Sequence, residues 1–119
     1  QPYENQKSKT LSGGWQRKLS IALALISEPK ILFLDEPTLG LDILGRRELW
    51  ALINRLKEKT TIVLTTHYLE EAETLCDRIC VMKDGQIKAI GTVEELTHMT
   101  NTETFEDAFV NIVTREGLV

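Results

Sequence analysis

Helical patterns alternating with short, unbroken apolar runs predict an α/β fold for this 119-residue chain. Three observations carry that prediction. Ile31-Leu32-Phe33-Leu34 and Thr61-Ile62-Val63-Leu64-Thr65 lack polar alternation, the mark of strands covered on both faces in a parallel sheet. Between them Leu49, Trp50, Ile53 and Leu56 recur at helical spacing, which gives one apolar stripe. Asp84-Gly85 spells a two-residue hairpin turn that pairs a strand over Ile79 to Met82 with one over Gln86 to Ile90.

Taken in order, the first ten residues carry no periodic apolar signal and are expected to form a loop. Ser12 reads as the N-cap of a helix that runs to about Ser27. Leu19, Ile21, Ala22, Leu23, Leu25 and Ile26 nearly encircle that helix, which predicts that most of it is buried. Glu28-Pro29 stops it. The first strand ends in Asp35-Glu36-Pro37, because proline cannot donate to a further ladder bond. After a glycine-containing loop Asp42 caps a helix extending to about Lys59. A short helix is expected over Tyr68 to Cys76, and Thr92 with Glu95 forms a capping box for another. Phe105, Ala108, Phe109 and Ile112 stripe a last amphipathic helix. Neither repeats nor low-complexity stretches interrupt the pattern.

Bulk composition narrows the function classes. With 14 Lys and Arg against 18 Asp and Glu, the net charge is −4, which argues against a nucleic-acid partner that needs clustered cations. The longest apolar run, Leu19 to Ile26, holds eight residues, including Ser20. A membrane span needs about 20, so no crossing is expected. Gln1 to Thr10 is polar, without the apolar centre of a secretion signal. Cys76 and Cys80 read as ordinary thiols of a reducing compartment, with no nearby histidines to complete a metal site. The cytoplasm is the expected location.

Chemistry-bearing residues sit at the ends of these elements. Leu11-Ser12-Gly13-Gly14 opens a helix, and helix N-termini attract anions through free N–H groups and about half a positive charge. Two glycines let a phosphate come close, although a capped helix start explains the same residues. Asp35 and Glu36 lie at the carboxyl edge of the first strand, where ligands bind in parallel sheets. One carboxylate there suits a magnesium ion and its neighbour an attacking water; a solvated acidic turn is the plainer alternative. Leu39-Gly40-Leu41-Asp42 follows directly. His67 ends the second strand, placed to contact a γ-phosphate or to serve as a structural edge residue. His98 lies in a polar stretch and reads as solvated.

The order of these four features, Leu11 to Gly14, Ile31 to Pro37, Leu39 to Asp42 and Thr65-Thr66-His67, resembles the ATP-binding-cassette family over about Leu11 to Leu96. The resemblance implies a RecA-like P-loop NTPase core with ATP and Mg2+ as cofactors. It implies that Leu11, Ser12, Gly13 and Gly14 form the signature motif, which closes on ATP held by a second nucleotide-binding domain. By the same resemblance Asp35 is the Walker B magnesium residue, Glu36 the catalytic base and His67 the switch histidine. Gly40, Leu41 and Asp42 then belong to the D-loop. The tail, from Glu70-Glu71-Ala72-Glu73 through Gly91-Thr92-Val93 to Phe105-Glu106-Asp107-Ala108-Phe109, is similar to ATP-binding subunits of bacterial drug and sodium exporters. A transmembrane permease, a second nucleotide-binding domain and the inner face of the membrane are the implied partners and place; the fuel is ATP.

Departures from the family pattern are few. Gln16-Arg17 comes one position early, Lys18 stands where arginine is usual, and Leu39 replaces a common serine. The large one is that no G-x-x-x-x-G-K-S/T phosphate loop occurs, nor the adenine-stacking aromatic or the Q-loop glutamine. Residues 1–119 therefore read as the C-terminal part of a nucleotide-binding domain: 11–27 the signature helix, 31–67 Walker B to the switch histidine, 78–119 the closing hairpin and helices. Without the phosphate-loop strand the chain by itself is expected not to hydrolyse ATP, and its sheet is expected to be left with a gap closed by rearrangement or by exchange of elements between copies. Two other functions remain open at this point: a soluble cassette ATPase working on ribosomes or DNA, and a non-catalytic partner of a complete cassette.

Overall fold

The computed structural model describes residues 2–115, and of residues 2–12 only the main chain. It divides into two units, one ending at His67 and one beginning at Tyr68.

In the first unit, helix α1 spans Pro2–Leu25. This corrects the expected loop over the first ten residues and the helix start at Ser12. From Glu4 to Leu11 no proline or glycine interrupts a run of adequate helix formers, and Pro2 occupies the one helical position that tolerates it. Gly13 and Gly14 cost about 1 kcal/mol each relative to alanine, too little to stop a helix already propagating. The expected burial of α1 is corrected as well. Ile21 is buried, whereas Leu19, Leu23 and Ile26 are more than half exposed.

Strand β1, Ile31–Asp35, and strand β2, Thr61–Thr65, pair in parallel with Ile31 opposite Thr61 and Asp35 opposite Thr65. Helix α2, Ile43–Leu56, provides the crossover that parallel pairing requires. Asp42 caps it by accepting a hydrogen bond from the Gly45 N–H at 2.7 Å. Leu49, Trp50 and Ile53 form its buried stripe, as the spacing predicts. The strands differ from expectation in being covered on one face only: Leu32 is buried, while Phe33 is 73% and Ile31 51% exposed.

Helix α3, Leu69–Leu75, opens the second unit, followed by strands β3, Ile79–Lys83, and β4, Gln86–Gly91. Asp84 and Gly85 both take positive φ, 53° and 75°, the two-residue turn whose twist matches an antiparallel pair. Register slips once, from Val81 opposite Ala89 to Met82 opposite Ile87, so Lys88 is the extra residue of a bulge. Helix α4, Val93–Thr100, starts at the predicted box: the Glu95 N–H donates to Thr92 Oγ1 at 3.0 Å, and the Thr92 N–H donates back to the Glu95 carboxylate at 3.2 Å. Helix α5, Phe105–Thr114, lays its stripe on the hairpin, and Phe105, Ile112, Leu96, Ile79, Val81 and Ala72 make the core of this unit.

The described residues thus hold two separate two-stranded sheets, β1-β2 and β3-β4.

Candidate nucleotide-hydrolysis site

The carboxyl end of β1 gathers the predicted acidic pair, and the end of β2 supplies its partners. Parallel register sets Thr65 beside Asp35, and the Thr65 hydroxyl donates to Asp35 Oδ1. The same hydroxyl accepts from the Glu36 N–H at 3.2 Å, and that N–H also reaches the Thr65 carbonyl oxygen at 2.9 Å. Glu36 then leaves the strand with φ 45°, a left-handed conformation that costs a non-glycine residue on the order of 1–2 kcal/mol. Its carboxylate, 28% exposed, meets His67 Nε2 at 2.7 Å. A neutral imidazole donates its N–H there; a protonated one adds an ion pair that solvent weakens, because the His67 side chain is 69% exposed.

Beyond Glu36 the chain turns tightly. The Leu39 N–H donates to the Glu36 carbonyl and the Leu41 N–H to that of Thr38, at 3.2 and 3.1 Å. Thr38 is wholly buried and Leu41 nearly so, which anchors the loop. Gly40 takes φ 83°, where a side chain would be strained, and Asp42 ends the loop as the α2 cap. Arg17 of α1 reaches across to this loop. Its guanidinium donates to the Pro37 carbonyl at 2.6 Å and to the Leu39 carbonyl. Next to it Lys18 pairs with Glu48 of α2 at 3.1 Å. Arg17, Ser20, Ile21, Phe33 and Asp35 line a cleft of about 330 Å³ beside the acidic pair.

The predicted residues Asp35, Glu36 and His67 are therefore brought together, with Gly40, Leu41 and Asp42 in the loop that leaves them. The signature residues stand differently. The side chains of Leu11 and Ser12 lie outside the described residues, and Gly13 and Gly14 sit inside α1 rather than at its start. The open helix N-terminus expected at Ser12 is not formed, because the helix is already three turns long there. Gly14 nevertheless presents bare main chain, since a Cβ added to it would meet nothing within 4 Å. Two contributors escape the sequence reading, Thr65 and Arg17. Thr65 becomes visible only through the parallel register, and Arg17 was legible only as a displaced member of the family pattern.

Whether this donor set suits magnesium can be tested on its chemistry. Among the described residues no group of three or more histidine, cysteine or acidic side chains converges. One carboxylate beside a hydroxyl is nevertheless what magnesium uses when it keeps several waters and takes its other ligands from phosphates. Asp35, its carboxylate fixed by the Thr65 hydroxyl, suits an ion that arrives with a nucleotide and not a resident cage.

Two carboxylates past one strand end, a histidine past the neighbouring strand end and a tight following loop thus cluster at one edge of the parallel sheet. The family model described as ABC transporter matches residues 1–39. "ABC transporter A family member 12" of Arabidopsis thaliana is 52% identical over 85 residues, covering 71% of this chain and 9% of that protein. "Phospholipid-transporting ATPase ABCA3" of Homo sapiens is 51% identical over 88 residues, 74% of this chain and 5% of that one. A solved "Structure of ATP binding subunit of ABC transporter" superposes with a TM-score of 0.66 at 32% identity, covering 73% of this chain and 38% of the other. The chain belongs to the ATP-binding-cassette transporter family and represents part of its ATP-binding domain. Members of this family are ATPases. The chain spans about a tenth or less of the length of the curated relatives. Among the described residues no helix is long and apolar enough to cross a membrane.

Proposed function

We propose that this chain supplies the water-activating side of ATP hydrolysis in the motor domain of a membrane transporter, probed most directly through Glu36. The supporting observation is the meeting of Glu36 and His67 at 2.7 Å on the ends of two paired parallel strands. Glu36 is the general base that draws a proton from the attacking water, and His67 orients it through the shared hydrogen bond. Asp35, steadied by Thr65, would hold a Mg2+ ion that arrives with the nucleotide, and the ion would supply positive charge against the phosphates. Leu11, Ser12, Gly13 and Gly14 face ATP bound to a second nucleotide-binding domain, a role that requires the chain ahead of Ser12 to leave the helical path it follows in α1 and so free N–H groups. Gly40, Leu41 and Asp42 lie at the same dimer contact.

The partners in this reading are a second cassette and a transmembrane permease, at the cytoplasmic face of the membrane, with export as the direction. The relatives' printed names support a transporter over a ribosome- or DNA-directed ATPase, and the net charge of −4 points the same way. In the full-length transporter Glu36→Gln is expected to abolish turnover while ATP-bound complexes accumulate; undiminished phosphate release would overturn the assignment. The 119-residue polypeptide, which contains no phosphate-loop motif, is expected to release no phosphate on its own.

A further inference from the structure

We infer that Arg17 is a positioning residue for hydrolysis: it straps the loop that follows Glu36 to the helix carrying Leu11–Gly14. The inference rests on the reading of Glu36 given above. One guanidinium donates to two main-chain carbonyls, Pro37 at 2.6 Å and Leu39, which flank the turn immediately after the carboxylate. Only arginine has a planar fork able to serve two acceptors in fixed geometry; lysine offers a point charge without that shape. The strap acts on a strained residue. Glu36 sits at φ 45°, and such conformations persist only where their surroundings over-determine them. Upstream, the Glu36 N–H is bound by Thr65 through both its hydroxyl and its carbonyl. Downstream, beside the turn's own Leu39 to Glu36 bond, the Arg17 guanidinium holds the Pro37 and Leu39 carbonyls.

The direction of the coupling follows from where Arg17 stands. It lies one helical turn beyond Gly13 and Gly14 on α1, so a nucleotide that docks at those glycines shifts the helix and the strap together. Lys18, paired with Glu48 at 3.1 Å, ties the same turn of α1 to α2, the helix that Asp42 caps. That pair is solvent-exposed on both sides, so it serves as an internal control of what a loose tie between the helices is worth. Arg17 thereby makes the placement of the Glu36 carboxylate depend on the signature segment of its own chain.

The test compares Arg17→Ala, Arg17→Lys, Lys18→Ala and Glu36→Gln in the full-length, membrane-reconstituted transporter, reading kcat and KM for ATP and the melting temperature. Arg17→Ala is expected to lower kcat about tenfold to a hundredfold, the usual effect of a misplaced reacting group, with KM within twofold. Arg17→Lys is expected to recover little of it, and Lys18→Ala to stay within twofold of the wild type. A kcat for Arg17→Ala within twofold of wild type would overturn the strap, as would full rescue by lysine or a loss that appears wholly as raised KM with a lowered melting temperature. Glu36→Gln separates the two readings: if it still hydrolyses, the role of Glu36 fails; if it is dead and Arg17→Ala is normal, only the strap fails.

Discussion

Thr65 does more for the acidic pair than its place in a strand suggests. One hydroxyl both donates to Asp35 and accepts from the Glu36 N–H, so it fixes a carboxylate and the residue after it in a single step. Thr65→Val keeps the shape and removes both bonds. The change is expected to cost about 1 kcal/mol, the usual worth of a part-exposed hydrogen bond, read as a lower midpoint in urea unfolding. An unchanged midpoint would mean that water replaces the hydroxyl without loss. Glu36 illustrates the same scale from the other side. A left-handed glutamate is unfavourable locally, and the hydrogen bonds on either side hold it in that conformation at the end of β1. At this scale the sequence made Asp35, Glu36 and His67 legible, because acidic and imidazole groups at the ends of apolar runs are conspicuous. It left Thr65 hidden, since a threonine in a strand is ordinary until the register puts it opposite Asp35.

Among the elements, caps and turns were the most legible features. Asp42, Thr92 with Glu95, and Asp84-Gly85 all act where the sequence puts them, because each depends on bonds spanning at most three residues. Asp42→Ala is expected to destabilise the first unit by about 1 kcal/mol through the lost N-cap of α2, visible as a lower unfolding midpoint; a change under a few tenths would show that the Gly45 N–H finds another acceptor. Helix α1 marks the opposite case. Its start was misplaced by ten residues because Ser12-Gly13-Gly14 carries a strong local stop-and-cap pattern, while the residues before it are compatible with a helix without announcing one. The encircling apolar residues also misled. A continuous apolar circumference says that a helix can be buried, not that neighbours are present on every side, and Leu19, Leu23 and Ile26 stay more than half exposed.

On the scale of the whole molecule, the described residues form two sheets of two strands each, one in either unit. Phe33, Ile31 and Val63 are left exposed on one sheet, with Leu19, Leu23 and Ile26 exposed in the same unit. Apolar surface of this kind drives association, so the 119-residue polypeptide alone is expected to bind a dye such as ANS and to form larger species in light scattering at micromolar concentration. A clean monomer that ignores the dye would refute this.

The sequence by itself determined the α/β class, the family, the caps and the placement of Asp35, Glu36 and His67 at the strand ends, since each follows from local chemistry or from spacing along the chain. Tertiary structure decided which strand faces stay bare, that Thr65 meets Asp35 and the Glu36 N–H, and that Arg17 reaches the loop after them. Those outcomes depend on contacts between residues 20 to 30 positions apart, and no local pattern encodes which long-range partner a side chain will meet.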